Sequence, residues 1–250
     1  MSLPGLRVDP KDLPAVAIVV GDPVRAERAA ERLDDAREIA RNREYATFVG
    51  ARDGRRLAVV SHGVGAAGAN VCFEELLRGG VRTLVRAGTC GAIAEGIGDG
   101  ELIVASGAVR EDAVTDHLMP LAYPAAADRR VVDALLAAAA HQGVAVREGL
   151  VVTEANLYPG IDPPRWQRYV GYGVLGVEME LSALLVLAAM RGARAGGILA
   201  VDGNLLDRDP RMSDYDPHRE VVERGVEAML EIALDAAAVF TRDAGGAGDT

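Results

Sequence analysis

Residues 176 to 184 read GVEMELSAL and set two carboxylates, Glu178 and Glu180, on either side of Met179 where an apolar helix begins. Burying a carboxylate without a partner is costly. One acidic group suits a helix N-terminus, where backbone N–H groups and the dipole favour negative charge. The second calls either for solvent or for a ligand that offers hydroxyls.

Three further stretches have the residue types to hold an anion. In VVGDPVRAER, residues 19–28, a strand exits through Gly21, Asp22 can cap a helix, Pro23 fits its first turn and Arg25 follows one turn in. The amides there could face an anion; the same pattern also describes an ordinary capped turn with Arg25 in solvent. In RAGTCGA, residues 86–92, Arg86 ends a buried-looking strand ahead of a glycine turn carrying Gly88, Thr89 and Gly91. A guanidinium in that place needs a partner, and its planar fork suits phosphate oxygens or a buried acid equally. Thr89 adds a hydroxyl, and the glycines permit close backbone approach. Cys90 lacks a partnered base and reads as a packed thiol. In NREYATF, residues 42–48, Arg43 opens a strand-like run, where an arginine is ordinarily a surface charge. No Walker or dinucleotide fingerprint occurs.

The elements that must position these residues alternate as in an α/β sheet. Val/Ile-rich runs predict strands over 15–20, 57–61, 82–87, 102–109 and 197–202, and Ala/Leu-rich runs predict helices over 24–33, 68–79, 129–142, 180–191 and 216–241. Several strands end in glycine turns, and ligands of open α/β sheets bind beyond such strand ends. With 250 residues the chain can bury a large core, and with aromatics at only 4% that core is built from Ala, Val, Leu and Ile. We expect one domain over 1–242 and a disordered Gly-rich tail over 243–250.

A net charge of −10 argues against nucleic acid or a membrane surface held by bulk electrostatics. Lys11 is the only lysine, so the cationic chemistry belongs to arginine. Cys72 and Cys90 form neither a metal-ligand spacing nor a disulfide framework, which points to a reducing cytoplasm. No apolar run is long enough to span a bilayer, and the N-terminus lacks a signal-peptide core. The expected protein is soluble and cytoplasmic.

With GDPVR, REY, FEELLRGGVRTLVRAGTCGAI, DHLMPLAYPA, NLYPG and VEMELSAL in this order, the sequence resembles the nucleoside phosphorylase-I family across most of its length. PLAYPA and LYPG lean toward its uridine phosphorylase branch. The resemblance implies a three-layer α/β/α sandwich around a mixed, partly barrel-like β-sheet. It also implies phosphorolysis of a nucleoside to free base and pentose 1-phosphate, with inorganic phosphate as co-substrate and neither cofactor nor metal. Phosphate would be held by Gly21, Arg25, Arg86 and Thr89, with Arg43 arriving from a neighbouring subunit. A homodimer would then be the catalytic unit, assembled into a homohexamer. Glu180, the Met179 backbone and Glu178 would receive the ribose hydroxyls. Thr89, Gly91, Tyr158, His117 and Asp202 would line the base pocket, Arg86 and Asp202 being the catalytic pair. His62, His141 and His218 are taken as structural or exposed.

The sequence departs from the family pattern at the base. Where uridine phosphorylases read uracil with Gln and Arg, Ile161 and Pro163 offer no polar side chain. The position of the base-stabilising Asp or Arg falls on Gly203; Asp202 precedes it and would serve if the loop shifts by one residue, Asn204 could bond the base instead, and Asp202 could simply cap a turn. The N-terminal histidine that meets a neighbour's 5′-hydroxyl has no counterpart. A potassium site on Glu44 and the Val64 carbonyl is not expected, since its serine is Gly68 here. A uridine-like nucleoside leads; the alternatives are a purine nucleoside phosphorylase, a nucleosidase, and a non-catalytic nucleoside-binding homologue. The three retained arginines speak against a hydrolase.

Overall fold

The computed structural model describes residues 2–158, 160–207 and 215–241. The ten strands are β1 (Val16–Val20), β2 (Asp34–Asn42), β3 (Tyr45–Arg52), β4 (Arg55–Ser61), β5 (Thr83–Ala92), β6 (Leu102–Glu111), β7 (Ala125–Ala126), β8 (Val146–Glu154), β9 (Val174–Glu178) and β10 (Arg194–Asn204). The helices are α1 (Pro23–Ala30), α2 (Ala66–Arg78), α3 (Arg129–His141), α4 (Leu181–Met190) and α5 (Glu220–Val239). All five predicted helices form, with ends shifted by a few residues. The predicted tail, 243–250, lies outside the described residues.

β5 is where the sheet divides. One edge of β5 runs parallel to β10 from Thr83 to Ala92. Its other edge changes partner: Thr83–Arg86 pair with β1, while Gly91 and Ala92 pair with β9. From β1 an arm continues through β4 and β3 to β2. From β9 the sheet passes through β8 and β6 to β10, which returns to β5 and closes a five-stranded barrel. The fold is therefore a mixed α/β structure with a partly barrel-like sheet. On the edge that faces away from β10, residues 87–90 fall between two strand partners, so the sheet opens there.

Two expectations are corrected. RAGTCGA is not a glycine turn, because β10 pairs with β5 residue by residue through Gly88 and Thr89 up to Ala92. Strands β2, β7, β8 and β9 were not predicted; β2 reads DDAREIARN and is mostly exposed, an edge strand held by pairing with β3 and lacking an alternating apolar face.

The helices cover both faces. Buried residues of α2 and α4 pack with one side of the strands, and those of α1, α3 and α5 with the other. Helix α4, LSALLVLAAM, is apolar all round and its first eight residues are buried, as a helix enclosed by protein should be. This fixes the helix whose N-terminus carries Glu178, Met179 and Glu180.

Candidate active site

A cleft of about 580 Å³ opens where β5 changes partner, lined among others by Gly21, Arg25, Arg86, Thr89, Met179, Glu180 and Asp202. Residues distant in sequence meet there because β1 and β4 end side by side against the middle of β5, and the residues at the N-terminus of α4 bond to Arg86 of that strand.

Arg86 is buried at the centre. Its Nε donates to Glu178 Oε2 at 3.1 Å, its Nη2 to Glu180 Oε2 at 2.5 Å, and its Nη1 to His62 Nε2 at 2.8 Å. A guanidinium can only donate. His62 Nε2 must therefore be the accepting nitrogen, and the ring proton sits on Nδ1, which donates to the Gly63 carbonyl at 2.8 Å. Complete burial, and after it the charge of Arg86, hold His62 well below the usual histidine range, so the ring is neutral. The guanidinium folds back over its own strand: a Cβ on residue 88 would lie 2.8 Å from Arg86 Cζ and push the guanidinium aside.

Arg25 provides the second charge. Asp22 caps α1 by accepting from the Val24 amide at 2.9 Å, and Pro23 occupies the first turn, which sets Arg25 toward the cleft. Burial, only partly opposed by Asp22, lowers the Arg25 pKa, and the like charge of Arg86 adds to that. No ion-pair partner for Arg25 is found among the described residues. Two arginines in one cleft, with a threonine hydroxyl and the Gly21 turn beside them, are the donor types that an anion calls for.

The two glutamates have different work. Both Glu178 oxygens are occupied: they accept from the Glu180 and Leu181 amides, the Thr153 hydroxyl and Arg86. Glu178 thus anchors the start of α4, and Ser182 extends the anchorage through Thr153 and Asp112. Glu180 accepts from Arg86 and, at 2.5 Å, from the amide of Gly65, whose φ of +91° suits only glycine. Burial raises the Glu180 pKa, an effect that the neighbouring Arg86 charge opposes. Glu178, Met179 and Glu180 all line the cleft, and of the two glutamates Glu180 accepts from fewer donors.

Asp202 sits on a β-bulge. Val201 pairs with Cys90 and Gly203 with Gly91, so Asp202 is the extra residue between them. Bulges re-aim a side chain, and this one brings Asp202 to the cleft wall. The Tyr215 hydroxyl donates to Asp202 Oδ2 at 2.9 Å, and Arg219 donates to the Asp202 carbonyl at 2.8 Å. Asn204 is committed elsewhere, donating to the Ala94 and Ile97 carbonyls and accepting from the Leu206 amide.

Gly91 also lines the cleft. Arg43 is exposed at the β2–β3 turn, Tyr158 is 63% exposed, and the His117 side chain is 83% exposed; none of the three lines the cleft of its own chain. Sequence reasoning assigned nothing to Trp166 and Tyr215, which do line it. The scarcity of aromatics was the one available signal. Cys90 lines the wall as a buried thiol, and burial pushes its pKa well above the usual range, which agrees with packing. Among the described residues no helix is long and apolar enough to cross a membrane.

Residues 15–238 match the sequence profile of the Phosphorylase superfamily. The purine nucleoside phosphorylase of Plasmodium falciparum is 37% identical over 235 residues, which are 93% of this chain and 94% of that one. The uridine phosphorylase of Haemophilus influenzae is 32% identical over 237 residues, covering 89% of this chain and 91% of that one. Among solved structures, the purine nucleoside phosphorylase of Toxoplasma gondii in complex with immucillin-H superposes with a TM-score of 0.91 at 34% identity, with 97% of each chain covered.

Proposed function

Because this chain belongs to the phosphorylase superfamily and is a nucleoside phosphorylase, we propose that its preferred substrate is a purine nucleoside and that Asp202 acts on the departing base. The observation that carries this reading is the β-bulge that sets Asp202 into the cleft wall. It supplies the one-residue shift on which a role for Asp202 depends. Purine and uridine phosphorylases both stand among the relatives; Ile161 and Pro163, at the positions of the uracil-reading residues, are exposed and lie outside the cleft lining.

In this reading phosphate is held by Arg25, Arg86, Thr89 and the Gly21 amide, beneath the anomeric carbon. Glu180 and the Met179 backbone hold the ribose hydroxyls, and Glu178 keeps both in place. The C1′–N9 bond breaks as a phosphate oxygen bonds to C1′. Positive charge develops on the sugar, where phosphate offsets it, and the bonding pair goes to the purine. Asp202 gives its proton to N7 as that charge arrives. Positioning and preorganised charge supply the rate, with no protein nucleophile. A uracil ring has no N7, so a carboxylic acid at this place suits a purine. Arg43 reaches the phosphate of a neighbouring subunit in a dimer, which gives an exposed arginine a function.

Asp202→Asn tests the assignment. It removes the acidic proton and keeps the shape, so inosine phosphorolysis should fall about 10²- to 10⁴-fold. Unchanged turnover of inosine by the variant excludes Asp202 as the acid.

A further inference from the structure

Beyond the polar groups of the cleft, its outer wall is aliphatic, with Leu157, Val177 and Leu205, except for two aromatic side chains, Tyr215, whose hydroxyl is bonded to Asp202, and Trp166. Trp166 is the only tryptophan in the chain. We propose that Trp166 is the platform on which the nucleobase stacks, so that this protein holds the face of its base on an aromatic ring while Asp202 acts at the edge. The inference rests on the nucleoside phosphorylase reading and specifies how that site selects its base.

The support is in how the residue is held. Trp166 belongs to a short 3₁₀ turn, Arg165–Tyr169, with no buried residue of its own, so packing alone would not fix it. Two glutamates fix it instead. Glu154 Oε1 accepts from the Arg165 amide at 2.7 Å, and Oε2 from the Trp166 amide at 3.1 Å. Glu111 accepts from Arg165 Nη1 at 2.6 Å and from the Tyr169 hydroxyl at 2.5 Å. Glu111 and Glu154 are register partners at the ends of the parallel strands β6 and β8. Adjacent carboxylates repel, and this pair is stable because donors from the turn take up both of them. The clasp ties the turn to the rim of the barrel, where Trp166 packs against the buried cluster of Ile93, Val152 and Val174.

Every nucleobase has a π-face, so stacking tolerates ring substituents and rewards ring area. Ile161, where an edge-reading side chain is missing, is fully exposed. The ligand class is therefore a bicyclic base, favoured over a monocyclic one and accepted with either an oxo or an amino group on the ring.

Because the chain has a single tryptophan, emission excited at the red edge, where tyrosine does not absorb, reports on this residue alone. The full-length protein is titrated with hypoxanthine and with uracil in phosphate-free buffer, and inosine phosphorolysis is measured alongside. The expected result is saturable quenching by hypoxanthine at lower concentration than by uracil. Trp166→Leu should raise the inosine KM about 10- to 100-fold with a smaller change in kcat. Trp166→Phe should restore most of that loss, which separates stacking from packing. Glu154→Gln loosens the clasp and should raise KM together with a red shift of the Trp166 emission. Emission unmoved by any base, in protein that turns over inosine, overturns the inference and leaves the functional reading intact. An unchanged inosine KM in Trp166→Leu overturns it as well. Quenching by uracil alone supports the platform and overturns the purine preference.

Discussion

Arg86 Nη2 and Glu180 Oε2 stand 2.5 Å apart, so the residue assigned to phosphate and the residue assigned to the ribose hydroxyls are directly bonded. The two substrate positions therefore share one ion pair, and a change to either member reaches both substrates. Replacing Arg86 by alanine leaves Glu178 and Glu180 buried without their cation, a loss of about 3–5 kcal/mol in stability. Arg86→Lys keeps the charge but cannot reach His62, Glu178 and Glu180 with one ammonium. Its kcat/KM should fall at least about 100-fold for phosphate and nucleoside alike. Steady-state kinetics in each substrate, with a thermal melt of the same preparation, check both effects.

His62 adds a pH term to stability. Burial and the Arg86 charge keep the ring neutral in the folded protein, while an unfolded histidine titrates near its ordinary value. The unfolded chain therefore binds the extra proton as pH falls. Stability is full above about pH 6.5 and declines below it, by at most about 1.4 kcal/mol per pH unit from this residue. Urea unfolding of the wild type and of His62→Gln between pH 7.5 and 5 should give a smaller slope in the variant. Equal slopes remove His62 from the explanation.

Tyr215 should matter to catalysis through Asp202. Its hydroxyl donates to Asp202 Oδ2 at 2.9 Å and so fixes the orientation of the carboxyl group. Tyr215→Phe removes only the oxygen and should lower kcat by about 10- to 100-fold, with the phosphate KM little changed. A shift in phosphate KM alone would place Tyr215 outside the handling of the base.

The residues assigned to phosphate and ribose were more legible in the sequence than those at the base end of the cleft, and the reason is physical. Gly21 and Arg25 lie at the end of β1 and the start of α1, and Glu180 at the start of α4, where local pattern fixes geometry; Arg86 and Thr89 lie inside β5, paired with β10. Asp202 depends on a bulge in β10, and a bulge is a property of pairing with β5 that no local pattern in ILAVDGN reveals. Trp166 depends on carboxylates 12 and 55 positions away. β2 escaped notice because its residues are mostly exposed and charged, and only its pairing with β3 makes it a strand. The barrel itself rests on β5 changing partner between Arg86 and Gly91, which is a matter of topology.

Gly88 is a sensitive test of how tightly Arg86 is placed. A methyl group there would lie 2.8 Å from both Cζ and Nη2 of the guanidinium. Gly88→Ala should displace Arg86 and reduce kcat/KM for phosphate by about 100-fold. Kinetics at saturating nucleoside reads this directly, and wild-type values would mean that the guanidinium relaxes without loss.

The most direct test is release of free base from inosine, guanosine, adenosine and uridine, each with and without inorganic phosphate. The structure leads us to expect release that requires phosphate, yields pentose 1-phosphate and is fastest with a purine nucleoside. Release at the same rate without phosphate, or turnover confined to uridine, would contradict this account.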